Sequence, residues 1–144
     1  MKDAFGGIVN IVLVAIFLVI VSGILGLVVN YTKAFRMKNA VISTIEQYDG
    51  AGCFKENKGC SNKIVEQAHS FGYYPPSIHC SESDGYEKGY GLFCFKETTT
   101  SEGTIYTIIT QVDINIPIIN KIMGLSIFQV HGDTRSVRNK MYSR

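Results

Sequence analysis

The chain has 144 residues, 46% of them hydrophobic, and a formal net charge of +2 at pH 7. That length holds one small domain beside any membrane segment, and Lys and Arg are scattered among Asp and Glu, leaving no basic stripe for a nucleic-acid partner. No dinucleotide fingerprint, phosphate loop, nucleophile elbow or zinc-protease motif occurs, so neither an enzyme nor a bound cofactor or metal is expected.

The first element is residues 8–29, IVNIVLVAIFLVIVSGILGLVV, where no charged residue interrupts the apolar run. As a helix it is about 33 Å long at 1.5 Å per residue, against a bilayer hydrocarbon core of about 30 Å. The reading is a single-pass membrane protein with the lipid bilayer as its first partner. The few residues before the run carry little positive charge and no A-x-A-like site ends it, so an uncleaved anchor is expected rather than a signal peptide. Ser22 and Gly26 form a small-x-x-x-small pair, a candidate face for close helix packing. Asn30-Tyr31-Thr32 fits the glycan-acceptor pattern, but at the membrane boundary it reads as chance.

No breaker stands between Val29 and the Asp49-Gly50 pair, so the helix is predicted to run on to about Tyr48 as a projecting stalk. Ala34, Phe35, Met37, Val41, Ile42 and Ile45 recur near helical spacing along it, and Gly50 offers a left-handed cap. The expected division is 1–48, transmembrane helix and amphipathic stalk, and 49–144, a small disulfide-supported head.

Within the head, Ser61 is a candidate cap for a short helix over 62–71, ended by Gly72. A short strand over 77–80 is possible. Three strands follow at 90–97, 104–116 and 126–137, rich in Ile, Val, Thr and aromatic residues. Residues 98–103 read as a hairpin loop, Pro117 to Gly124 as one or two helical turns, and 138–144 as a solvated tail. The fold class is therefore α+β: a long N-terminal transmembrane-plus-stalk helix, then a small antiparallel β-sheet head with one or two short helices.

The four cysteines, Cys53, Cys60, Cys80 and Cys94, all follow the anchor. Their even number suggests two disulfides in an oxidising compartment. Of three possible connectivities, Cys53–Cys60 with Cys80–Cys94 is preferred because each closes a short loop. Orientation signals conflict. Lys33, Arg36 and Lys38 after the span favour a cytoplasmic head by the positive-inside rule, whereas the cysteines favour the outside. The short tail 1–7 is easily retained in the cytoplasm, so an extracytoplasmic head is the expectation.

Tyr73, Tyr74, Tyr86 and Tyr90 gather around a Gly- and Ser-rich loop and form a possible contact surface, since tyrosine suits a boundary that is dry on one side and wet on the other; core packing with loop solubility is the plainer reading. His131 and Asp133 could belong to a hydrolytic constellation; a sheet-surface pair beside a turn is the plainer reading.

The anchor, the stalk sequence Ala34-Phe35-Arg36-Met37-Lys38-Asn39-Ala40 and the run ITQVDINIPIINKIMGLSIFQVHGDT together resemble type IV pilin-like proteins, most nearly the TadE-like pseudopilins. The resemblance covers the N-terminal third and the C-terminal fifth of the chain. It implies a non-catalytic structural subunit of a cell-envelope pilus, secretion or conjugation-type apparatus, with other membrane or pilin-like subunits as partners. It also implies Ala4 and Phe5 as a processing site. Counted from Phe5, position five is Val9, where that family usually carries Glu. The other class considered is a single-pass membrane-anchored extracytoplasmic binding or accessory domain.

Overall fold

The structure, a computed structural model, describes residues 2–50, 52, 60–75, 77–113 and 127–137, with side chains from Gly6 onward. Helix α1 spans Lys2–Gln47 and α2 spans Cys60–Phe71. A 3-10 turn over Glu82–Asp84 leads to four strands: β1 Glu87–Gly89, β2 Phe93–Thr100, β3 Gly103–Asp113 and β4 Ile127–Asp133. The strands form one antiparallel sheet in the order β1-β2-β3-β4. This is the α+β class expected: a long apolar N-terminal helix followed by a four-stranded antiparallel sheet and a short helix.

α1 has no proline, and after Gly26 no glycine until Gly50, so nothing interrupts its hydrogen-bond ladder. It ends where Asp49 takes a left-handed φ of 53° and the Gly50 N–H donates to the Ile45 carbonyl at 3.0 Å. Asp49 thus joins the expected Gly50, itself at φ 137°, in a positive-φ cap, a conformation that Asp tolerates better than most side chains. α2 closes the same way. Gly72 has φ 62°, and the Tyr73 N–H reaches the Ala68 carbonyl at 2.9 Å.

The expected stalk does not project freely. Ala34, Met37, Val41 and Ile45 are fully buried, at helical spacings of three and four, and they share one core with residues of α2 and the sheet. The predicted boundary at 48/49 therefore separates segments that pack together, while Phe35, expected on the apolar face, is exposed. Alternation along the strands sets the rest. Phe93 and Phe95 of β2, Ile108 and Val112 of β3 and Val130 of β4 face α1 and α2. Cys94 and Ile109 face the other way and pack with Ile78, Cys80 and Tyr86. Burial of each such side chain contributes about 1.5–3 kcal/mol.

Three features move α1 close to the sheet and fix its register. The Thr110 hydroxyl donates to the Ala34 carbonyl at 3.0 Å. The Arg135 N–H donates to the Glu46 carboxylate at 3.0 Å. Gly132 has no side chain where Lys38 and Ile42 cross it; a Cβ there would lie 2.7 Å from the Lys38 Cδ. Together these place the strand ends near Asp113 and Ile127 beside residue 31, at the anchor's exit, and the β2–β3 hairpin at the far end.

Several expected boundaries shift. Ser61 lies inside α2 and is buried rather than capping it, because the helix extends back to Cys60, a fully buried and disulfide-bonded core residue. Tyr90 and Gly91, expected to begin a strand, instead form the turn between β1 and β2. Both carry positive φ, 53° and 69°, and the Leu92 N–H donates to the Gly89 carbonyl at 2.9 Å, the pattern of a mirror-image hairpin turn. The β2–β3 loop shrinks to Ser101-Glu102, since Thr98–Thr100 pair with β3. β4 stops at Asp133: the Thr134 hydroxyl accepts the Tyr106 N–H at 2.9 Å, and the ladder resumes only at the Thr104–Val137 bridge. Residues 77–80 form no strand. The turns expected over 117–124, the end of the 104–116 strand and the 138–144 tail lie outside the described residues.

Candidate functional site

Three parts of the molecule could carry function: the anchor's surface, the crevice where it enters the head, and the segment 73–90 draped on the sheet.

Among the described residues α1 is the one helix long and apolar enough to cross a membrane, and none of its apolar window is buried. Its large side chains are exposed on every side; Phe17 is 64% and Ile11 70% exposed. A helix apolar all round belongs in a bilayer or among other helices. It fits a single-pass membrane anchor. Ser22 and Gly26 lie on this surface, both exposed. The Ser22 hydroxyl donates to the Leu18 carbonyl at 2.8 Å, and nothing stands within 4 Å of where a Gly26 Cβ would be, so the pair leaves a shallow, internally satisfied face. Ala4 and Phe5 lie on the first turns of α1, with side chains outside the described set.

At the anchor's exit a crevice of about 430 Å³ opens between α1, the end of α2 and the end of β3. Asn30 and Lys33 line it from the helix, Gly72 and Tyr74 from the α2 end, and Asp113 from β3. It thus offers one cation and one carboxylate just beyond the apolar span.

The four tyrosines do not make one surface. Tyr73 is core. Its hydroxyl donates to the Gln111 carbonyl at 3.0 Å and accepts the Gln111 N–H at 3.1 Å. Burial pushes its pKa up to about 12, with the backbone hydrogen bond at Gln111 opposing the shift. Tyr74 is 65% exposed and bonds His69 Nδ1 at 2.7 Å. Tyr86 lies half-buried against the Cys80–Cys94 cluster, and Tyr90 sits at the β1–β2 turn. A contact surface made of all four is excluded by the burial of Tyr73.

Gln111 was not singled out from sequence, yet it organises this region. Cys94 pairs with Ile109, so β2 begins opposite Thr110, and the backbone of Gln111 has lost its strand partner on that side. The Tyr73 hydroxyl fills the gap. The Gln111 side-chain amide, buried at 3% exposure, accepts the His79 N–H at 3.1 Å and donates to the His79 carbonyl. One amide thus does for 77–80 what a strand ladder would have done. A Gln in an alternating strand gives no sign of this before the fold is known.

Cys80 and Cys94 form a disulfide with a Cα–Cα distance of 5.7 Å, as preferred from their spacing. Cys60 is disulfide-bonded; Cys53 lies outside the described residues. His131 and Asp133 sit two apart on β4, opposite Ile109 and Thr107, exposed side by side. The serine–histidine contact present is elsewhere, Ser77 Oγ to His79 Nε2 at 3.3 Å in an exposed loop. Among the described residues no group of three His, Cys, Asp or Glu could hold a metal ion.

Comparison with protein-family models, curated proteins and solved structures finds no match to this chain. The functional reading rests on sequence and geometry.

Proposed function

We propose that this protein is a pilin-like, TadE-like structural subunit of a cell-envelope pilus, secretion or conjugation-type apparatus, with its head on the extracytoplasmic side. The observation that carries the reading is the division of labour along α1. One unbroken helix leaves residues 8–29 apolar on all sides and buries Ala34, Met37, Val41 and Ile45 as the spine of the head. Such a subunit is stored with its anchor in lipid and assembles when that apolar surface is covered by the helices of neighbours. The Cys80–Cys94 disulfide and the bonded Cys60 support an oxidising compartment for the head.

Photo-crosslinking from position 26 in cells tests the assembly. The expected result is a ladder of species containing this chain and companion membrane subunits; monomers alone, with no co-purifying partner, overturn the reading. Mass spectrometry of the mature N-terminus adds a second measurement, a new terminus at Phe5 being the expected product. Thiol labelling with a membrane-impermeant reagent checks orientation. Labelling of whole cells only after reduction supports an external head, and labelling only after lysis without reductant reverses it.

The crevice at the anchor's exit favours a second reading, a membrane-anchored extracytoplasmic binding or accessory domain. An intact subunit that never cross-links to its own kind but retains a bound small molecule would select it.

A further inference from the structure

On the flank of α1 opposite the crevice, three aromatic side chains remain uncovered at the base of the head. Tyr31 is 39%, Phe35 41% and Phe128 48% exposed. Tyr31 stacks on Phe35 with ring centroids 6.3 Å apart and meets Phe128 of β4 at 5.9 Å. The Lys38 amine sits 4.3 Å above the Phe35 ring, while its stem lies across Gly132. The patch therefore joins the helix to the strand that begins beside it, and the buried Lys38, 9% exposed, backs the Phe35 ring.

Depth decides what this patch meets. Each headgroup layer adds about 5–8 Å beyond the hydrocarbon core. At 1.5 Å per residue Tyr31 lies about 3 Å past Val29 and Phe35 about 9 Å past it. The apolar run is slightly longer than the core is thick, a mismatch that a tilt of about 20° absorbs. A tilt toward this flank lowers Phe35 and Phe128 into the headgroup layer. Aromatic rings prefer that layer, with the ring against acyl chains and the polar edge in water. Three side chains are far fewer than the roughly 20–30 residues a side of a stable protein interface, and the patch is continuous with the lipid-facing span.

We infer that the head rests on the bilayer through Tyr31, Phe35 and Phe128, which act as a second, interfacial membrane contact and hold α1 tilted. The inference depends on α1 being a membrane anchor. The chain has no tryptophan, so single replacements report position directly. Full-length Phe128→Trp, Phe35→Trp, Leu18→Trp and Tyr48→Trp variants are reconstituted separately into phosphatidylcholine–phosphatidylglycerol vesicles containing lipids brominated near the glycerol or near the chain end.

The expected result is emission from Phe128→Trp and Phe35→Trp that is blue-shifted relative to Tyr48→Trp and quenched more by shallow than by deep bromines, with Leu18→Trp quenched most by the deep ones. Deep quenching of Leu18→Trp without quenching at either aromatic position overturns the docking and leaves the anchor standing. Blue-shifted but unquenched emission at position 128, relaxing as lipid dilutes the protein, assigns the patch to a second copy and also overturns it. Failure of any lipid to quench Leu18→Trp removes the anchor itself, and the docking with it.

Discussion

The two stretches of α1 share one helix and differ completely in fate. Residues 8–29 and 34–45 are both apolar on at least one face, and both are helical. The first is apolar on all faces and finds no partner among the described residues; the second is apolar on one face and is claimed by the sheet. What separates them is the width of the stripe. A narrow stripe is satisfied by one sheet, whereas a full cylinder needs a solvent of its own. The helix is therefore two functional objects made as one covalent piece.

That contrast is broken most sharply by truncating the buried stretch. Ile45→Ala removes a fully buried side chain from the head's core and should cost about 2–5 kcal/mol, read as a lowered thermal midpoint of the full chain in detergent micelles. Leu18→Ala, in the exposed stretch, should leave the same midpoint unchanged. Removing the disulfide comes next. With a sequence separation of 14, the Cys80→Ser/Cys94→Ser variant should lose about 3 kcal/mol, measured by urea titration against the parent under non-reducing conditions.

Smaller effects sharpen the picture at the end of β3 that β2 leaves unpaired. Tyr73→Phe strips both partners from the Gln111 backbone and should cost about 1–3 kcal/mol, with faster amide exchange at Gln111 and His79. The same hydroxyl sets an alkaline limit. Its folded pKa of about 12 exceeds the ordinary 10.0, so ionisation favours the unfolded chain. Its share of the stability is intact below about pH 10 and is lost as pH rises toward 12. Tyr73→Phe should flatten the fall in midpoint over that window, and an unchanged slope would mean that another group sets it.

Much of this architecture was legible in the sequence because it depends on period and length. The span, the run-on helix, the 62–71 helix, the Phe93–Phe95 alternation around Cys94 and the Cys80–Cys94 pairing follow from local pattern. The errors have a common physical origin in tertiary partners. Tyr90-Gly91 looked like the start of a strand because an aromatic residue at positive φ is uncommon. Ser61 looked like a cap because its burial beside Cys60 is set by the core. Sequence leaves Tyr73 between core packing and a contact surface and singles out nothing at Gln111, since each matters only through the other, 38 positions apart. The 34–45 face was visible as a stripe, but a stripe does not say whether it meets its own sheet or a neighbour's. The pseudopilin reading and the extracytoplasmic side are tested by the cross-linking and thiol labelling above.

The missing hinge in α1 has a mechanical consequence. Between Gly26 and Gly50 there is neither glycine nor proline, so the helix transmits torque: the head cannot be turned about the long axis without turning the anchor. Gly26 and Lys33 are seven residues apart, nearly two full turns, so the small-residue notch in the span and the crevice above it share one azimuth. Phe35 and the aromatic flank point the other way. Notch and crevice therefore keep one bearing along the shaft and the aromatic flank keeps the opposite one, so whatever turns the anchor turns both.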